Sequence, residues 1–139
     1  MHTGRIEEHL RFANVDLELE SEGDLQLLID ELGSDVNVQF HGKLKSNNNF
    51  ASLSLSHLKG GPYGDADTTV SAICDLLDGL SQNSKDIWSG CCVKEFDIGF
   101  ESGVDGAQLE SRLENNTLRR VVELGATMEI TIYPVPKDY

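Results

Sequence analysis

Hydrophobic positions in this chain repeat at two different periods, and the switches between them mark out its elements. From about Leu10 to Glu20, Val15, Leu17 and Leu19 fall on one side and Asp16, Glu18 and Glu20 on the other. A period of two predicts a strand with one buried face and one acidic face. Leu25, Leu28, Ile29 and Leu32 then recur at i, i+3, i+4 and i+7, the stripe of a helix. Ser21 or Asp24 is its candidate cap, and Gly33 its stop. Val36, Val38 and Phe40 alternate with Asn37 and Gln39, and Ala51, Leu53 and Leu55 alternate with Ser52, Ser54 and Ser56. With the turn cluster Ser46-Asn47-Asn48-Asn49 between them, these two strands form a hairpin.

A second helix is expected from Asp67, its cap, to about Leu80. Val70, Ile73, Cys74 and Leu77 point inward, widened by Leu76 and Leu80, with Asp75 and Asp78 outward. Gln82-Asn83-Ser84 is read as a break. A fourth strand covers about Cys92 to Glu101, with Phe96, Ile98 and Phe100 on one face and Glu95, Asp97 and Glu101 on the other. Leu109 and Leu113 suggest a short amphipathic piece. A third helix starts at Asn115 or Asn116, carries Leu118, Val121 and Val122, and stops at Gly125. The last strand, Ala126 to Tyr133, turns Met128, Ile130 and Ile132 inward, and Pro134 and Pro136 follow it. Residues 1–9 read as a polar lead-in, and the glycine-rich stretches 60–65 and 103–106 as loops.

The order β-α-β-β-α-β, then α-β, predicts a single α+β domain over 1–139. Its first six elements match a ferredoxin-like unit, and the C-terminal α-β extends the sheet with helices on one face. In that topology the first and fourth strands are neighbours. Their acids then share one open face, and the last strand joins in parallel by a crossover.

Charge gives that face its interest. The chain has 24 acidic against 11 basic residues, a net charge of −13. Eight Asp or Glu and no Lys or Arg lie between Arg11 and Lys43. No basic stripe is available to neutralise phosphates, so direct nucleic-acid binding is not expected, and anionic membranes are repelled. A basic protein partner would be attracted and steered. No apolar run approaches the ~18 residues of a membrane span. The N-terminus lacks a signal-like apolar region, and three cysteines without paired spacing suit a reducing compartment, so the cytoplasm is expected.

Catalytic and metal signatures are lacking. His2, His9, His41 and His57 form no ligand motif, although the two in the hairpin strands could approach each other. Cys91 and Cys92 are adjacent, so their side chains diverge along a strand and do not pair, while Cys74 belongs to a buried stripe. Gly60-Gly61-Pro62-Tyr63-Gly64 lacks the Lys-Ser/Thr of a phosphate loop and runs into Asp65 and Asp67. Trp88 is expected to pack on the helical layer. No cofactor, metal or enzymatic activity is expected.

Leu118 to Tyr133 reads LRRVVELGATMEITIY: a helix, a Leu-Gly-Ala stop and an amphipathic I-x-I-Y strand. Together with the opening strand, the helix ending Glu31-Leu32-Gly33 and the polar hairpin, it resembles a bacterial family of unknown function. That family's small cytosolic proteins include members found at toxin-immunity loci. Ser34-Asp35-Val36-Asn37 stands where the family often has Pro-Thr and Lys-Gly, and the resemblance carries over no functional residue. It implies an immunity protein that neutralises a cognate toxin, such as a nuclease of a contact-dependent growth inhibition or related polymorphic toxin system. The candidate partner-binding residues are Asp16, Glu18, Glu20, Glu95 and Asp97, with Asp30 and Glu31 on the first helix as a second choice. A nucleic-acid-mimicking inhibitor is the alternative. A small-ligand or catalytic domain would use the region of Tyr63 and Asp65, and a scaffolding subunit would show a large apolar patch.

Overall fold

The computed structural model describes residues 11–57, 64–102 and 109–134. The lead-in 1–9, most of the glycine loop with Tyr63, the turn at 103–106, Tyr139 and the histidines His2 and His9 lie outside these residues. Ten elements follow in order: β1 (Arg11–Ser21), α1 (Gln26–Leu32), a single 3₁₀ turn (Gly33–Asp35), β2 (Val36–Lys43), β3 (Asn49–Leu55), α2 (Ala66–Asp78), α3 (Gln82–Ser89), β4 (Val93–Glu101), α4 (Asn115–Glu123) and β5 (Thr127–Tyr133). The strands form one sheet in the order β2-β3-β1-β4-β5. β1 runs antiparallel to both β3 and β4, β2 antiparallel to β3, and β5 parallel to β4. This is the ferredoxin-like α+β arrangement, extended by one parallel strand. No helix among the described residues is long and apolar enough to cross a membrane.

The core lies between the sheet and the helices. Val15, Leu17 and Leu19 of β1, Ala51, Leu53 and Leu55 of β3, and Phe96, Ile98 and Phe100 of β4 are all buried. Leu25, Leu28, Ile29 and Leu32 cover them from the α1 side, and Val70, Ile73, Cys74 and Leu77 from α2. A bulge between Phe12 and Asn14 shifts the phase of β1, so that Phe12 also turns inward and meets Phe100 edge-on at 6.1 Å. All three cysteines are free, Cys74 and Cys91 buried and Cys92 exposed. Burial raises the thiols of Cys74 and Cys91 to about 11, which keeps both protonated.

Several expectations are corrected. The cap of α2 is Asp65, one residue before the helix: its carboxylate accepts from the Thr68 N–H at 2.9 Å and the Thr68 hydroxyl at 2.6 Å. Neither Ser21 nor Asp24 is the cap of α1: the N-cap position is Leu25, without a side-chain cap, and Asp24 just before it accepts from the Gln26 N–H at 2.9 Å. The stretch read as a break after α2 is itself a helix, α3, capped by Ser81. Its short stripe of Ser84 and Trp88 carried too little apolar signal to register. Trp88 does pack on the helical layer, and its indole N–H donates to the Leu124 carbonyl at 2.9 Å. Leu109 and Leu113 pack against the core from a segment that is not helical. His41 pairs with Ala51, while His57 lies past Leu55, the partner of Val36 at the other end of the hairpin, so the register holds the two histidines apart.

The larger differences fall on the sheet edges. In β2 a bulge between Val38 and Phe40 breaks the alternation, so Val38 stays level with inward Leu53 while Phe40 comes level with outward Ser52. In β5 and α4, Ile130, Ile132 and Val122 are 64%, 60% and 73% exposed. Only Val121 and Thr117 of α4 are buried. An edge strand with one neighbour and a nine-residue helix above it cannot cover all the apolar positions that periodicity assigns inward.

Candidate functional site: the open acidic face of the sheet

The face of the sheet away from the helices is a continuous carboxylate surface. Side chains directly opposite on paired strands share a face. The β1–β4 register sets Asp16 against Asp97 and Glu18 against Glu95, with Glu20 opposite Val93. The β4–β5 register sets Asp97 against Glu129. Six acids from three adjacent strands therefore project from one side. None of them is in an ion pair among the described residues. At the far end Glu101 is paired with Arg11 at 2.6 Å, and at the other Asn48 donates to Glu20 at 2.8 Å.

Crowding has the expected electrostatic consequence. Asp16 is raised above the usual carboxylate value, chiefly by burial and further by Asp97, with a hydrogen bond from Gln39 working against the shift. Burial raises Glu18 too, followed by Asp97, Glu95, Asp16 and Glu129. Glu95 is raised by burial, then by Glu129 and Asp97. Like charges on a half-buried surface each disfavour ionisation of the others. Carboxylate oxygens of Glu18, Asp97 and Glu129 come within 4.8 Å of one another. These are the residues that could hold a cation, although three carboxylates on an open face are fewer ligands than a hard cation ordinarily takes.

Aromatic rings stand at two borders of the acidic field. Phe40 and Phe50 are in contact with ring centroids 5.9 Å apart, Phe40 lying over Gly42, where an added Cβ would meet its ring at 3.0 Å. At the opposite corner Tyr133 lies against Gly99, where an added Cβ would come within 3.0 Å of the Tyr133 ring and of the Asn14 side chain. The absence of a side chain at Gly99 lets the phenol lean toward the acids. Burial first, then Asp97, Asp16, Glu18 and Glu129, raise the Tyr133 pKa and keep the hydroxyl protonated. Ser52 and Ser54 continue the face toward β2 through Gln39, which accepts from the Ser52 hydroxyl at 3.0 Å and donates to Ser54 at 3.2 Å.

The fold brings together Asp16, Glu18, Glu20, Glu95 and Asp97. It separates Asp30 and Glu31 from them, because α1 lies on the other side of the sheet. Glu31 accepts from the backbone N–H and hydroxyl of Ser81 at 3.0 and 3.1 Å, tying α1 to the start of α3. The neighbouring Ser84 hydroxyl and the Ser81 N–H lower its pKa. Asp30 accepts from Gln26 at 2.8 Å within α1. Sequence reasoning passed over Glu129, Phe40, Phe50 and Tyr133. Glu129 was accessible to it, since Met128 and Ile130 on one side of a strand put Glu129 on the other. Phe40 was not, since only the bulge turns it outward. Comparison of the chain with protein-family models, curated proteins and solved structures finds no match.

Proposed function

We propose that this protein is a cytoplasmic immunity protein that binds a cognate bacterial toxin domain and neutralises it by stoichiometric occupation of its basic surface. The observation that carries the reading is the open sheet face, on which Asp16, Glu18, Glu20, Glu95, Asp97 and Glu129 form one field without a basic side chain between them. Folding that crowds like charges is unfavourable unless something compensates, and an oppositely charged partner would do so. A nuclease that grips nucleic acid presents such a surface. Charge alone mainly raises the association rate, while tight binding needs apolar or aromatic anchors. Phe40, Phe50 and Tyr133 at the borders of the field supply these.

The test is capture of a partner from the native host at low and raised salt, with the product of any adjacent large toxin gene as the first candidate. Rapid-mixing kinetics with the captured partner follow. Asp16→Lys with Glu18→Lys should slow association at least tenfold at low salt and flatten its salt dependence. An unchanged association rate would show that another surface binds.

A further inference from the structure

We propose that the chain forms a two-fold dimer by pairing β5 with the same strand of a second copy. β5 ends the sheet, and all seven of its residues pair with β4 in unbroken register, so its outer edge is straight and open among the described residues. On the helical side of that edge, Ile130 and Ile132 stand beside Ile98 and Phe100 but are largely exposed. α4 adds to this surface. Arg120 reaches α2, bonding Asp75 and Asp78 at 2.8 and 2.7 Å, while Thr117 and Val121 point into the core. Helical phase then sets Leu118 and Val122 on the flank facing away from α2, above β5. The result is an uncharged apolar ledge along an open strand edge, in a chain whose net charge is −13.

Proteins ordinarily blunt such edges, and the other edge of this sheet is blunted. β2 has the bulge between Val38 and Phe40, turns Phe40 to the opposite face and ends in Lys43. β5 has none of these devices within its seven residues TMEITIY. A partner that fits must supply both a strand and an apolar helix flank on the same side of it, and a second copy supplies both. A two-fold axis near Thr131 runs the strands antiparallel. It sets Ile130 opposite Ile132 of the second copy, brings the two Leu118–Val122 flanks together, and places Glu129 opposite Tyr133 rather than opposite itself. Leu118, Val122, Ile130 and Ile132 are 38% to 73% exposed. With the strand edge they offer on the order of 600 Å² per copy, the lower end of what a specific interface buries. The basic partner proposed above would occupy the opposite face, so the dimer does not depend on that reading.

Mass measurement by light scattering or sedimentation equilibrium tests the proposal on the full chain. The wild type is expected to dimerise with rising concentration, and more readily at raised salt, where repulsion between the acidic copies is screened. Ile130→Lys and Val122→Lys should each yield monomers. Val122 is exposed enough that its substitution leaves folding intact, which circular dichroism checks, so it carries the test if Ile130→Lys misfolds. Amides of β5 should exchange more slowly in concentrated than in dilute wild type. A wild type that stays monomeric at every concentration and salt, or a dimer that survives Val122→Lys, overturns the proposal.

Discussion

Replacing Asp97 by Asn should make this protein more stable, against the usual direction of substitutions at half-buried positions. Asp97 sits at the centre of the acidic field, with Asp16 opposite on β1, Glu129 opposite on β5 and Glu18 nearby. Two unit charges 4.8 Å apart, the outer limit of the Glu18–Asp97–Glu129 group, repel by ~0.9 kcal/mol in bulk water and ~3.5 kcal/mol at an effective dielectric of about 20. Glu129 is exposed, so solvent screens its share and the lower figure governs. Asn keeps the oxygen that accepts from the Thr131 hydroxyl at 2.8 Å, so no hydrogen bond need be lost. Removing the repulsion with Glu18 and Glu129 should therefore stabilise the fold by ~1–2 kcal/mol at low ionic strength. For a chain of this size that is a rise of about 5 °C in the melting midpoint. Urea titration is the suitable assay, because guanidinium is itself a salt and would screen the effect. The gain should shrink in high salt. No gain at low salt, or a gain indifferent to salt, would show that the acids are not mutually strained. If the field binds a basic partner, the variant should also bind it more weakly, since the same charges serve both.

Other outcomes follow from the same surfaces. Asp16, Glu18 and Glu95 have raised pKa values, so in the window between the ordinary carboxylate value and their raised ones the folded state holds more protons than the unfolded. Their ionisation penalty is absent below that window and complete above it, so their contribution makes stability increase as pH falls through it from neutrality. Glu31, with a lowered value, has the opposite sense: its contribution is complete above the ordinary carboxylate value and is lost as pH falls from there through its depressed pKa. Urea midpoints measured from neutral to mildly acidic pH should thus rise before they fall, and a monotonic decline would refute the balance. Calcium should stabilise the wild type no more than sodium at equal ionic strength, because Glu18, Asp97 and Glu129 are too few ligands. An excess shift that Asp97→Asn abolishes would assign a cation to the three. Asp65→Ala, by removing the α2 cap, should cost about 1 kcal/mol in the same denaturation assay, and an unchanged midpoint would mean that the cap adds nothing.

How much of the site was legible varies by residue. Asp16, Glu18 and Glu20, and likewise Glu95 and Asp97, could be put on a strand's outer face from alternation alone. That the two rows stand side by side followed from element order, because a β-α-β-β-α-β chain makes its first and fourth strands neighbours. Asp30 and Glu31 have the same charge but lie behind the sheet, since charge in a sequence has no side until the layers are assembled. The helix α3 escaped notice because eight residues with two buried positions give periodicity little to work with.

The sequence by itself determined the periods and buried stripes of β1, α1, α2 and β4, and the acidity of the uncovered face. These are local properties, fixed by which side of a strand or helix each residue occupies. Tertiary structure alone decided the rest. It brought Glu129 within reach of Glu18 and Asp97, turned Phe40 outward at a bulge, leaned Tyr133 onto Gly99, and left Ile130 and Ile132 uncovered at the edge. Each of these depends on register, or on how far a neighbouring element extends, and neither is a property of the segment in which the residue lies.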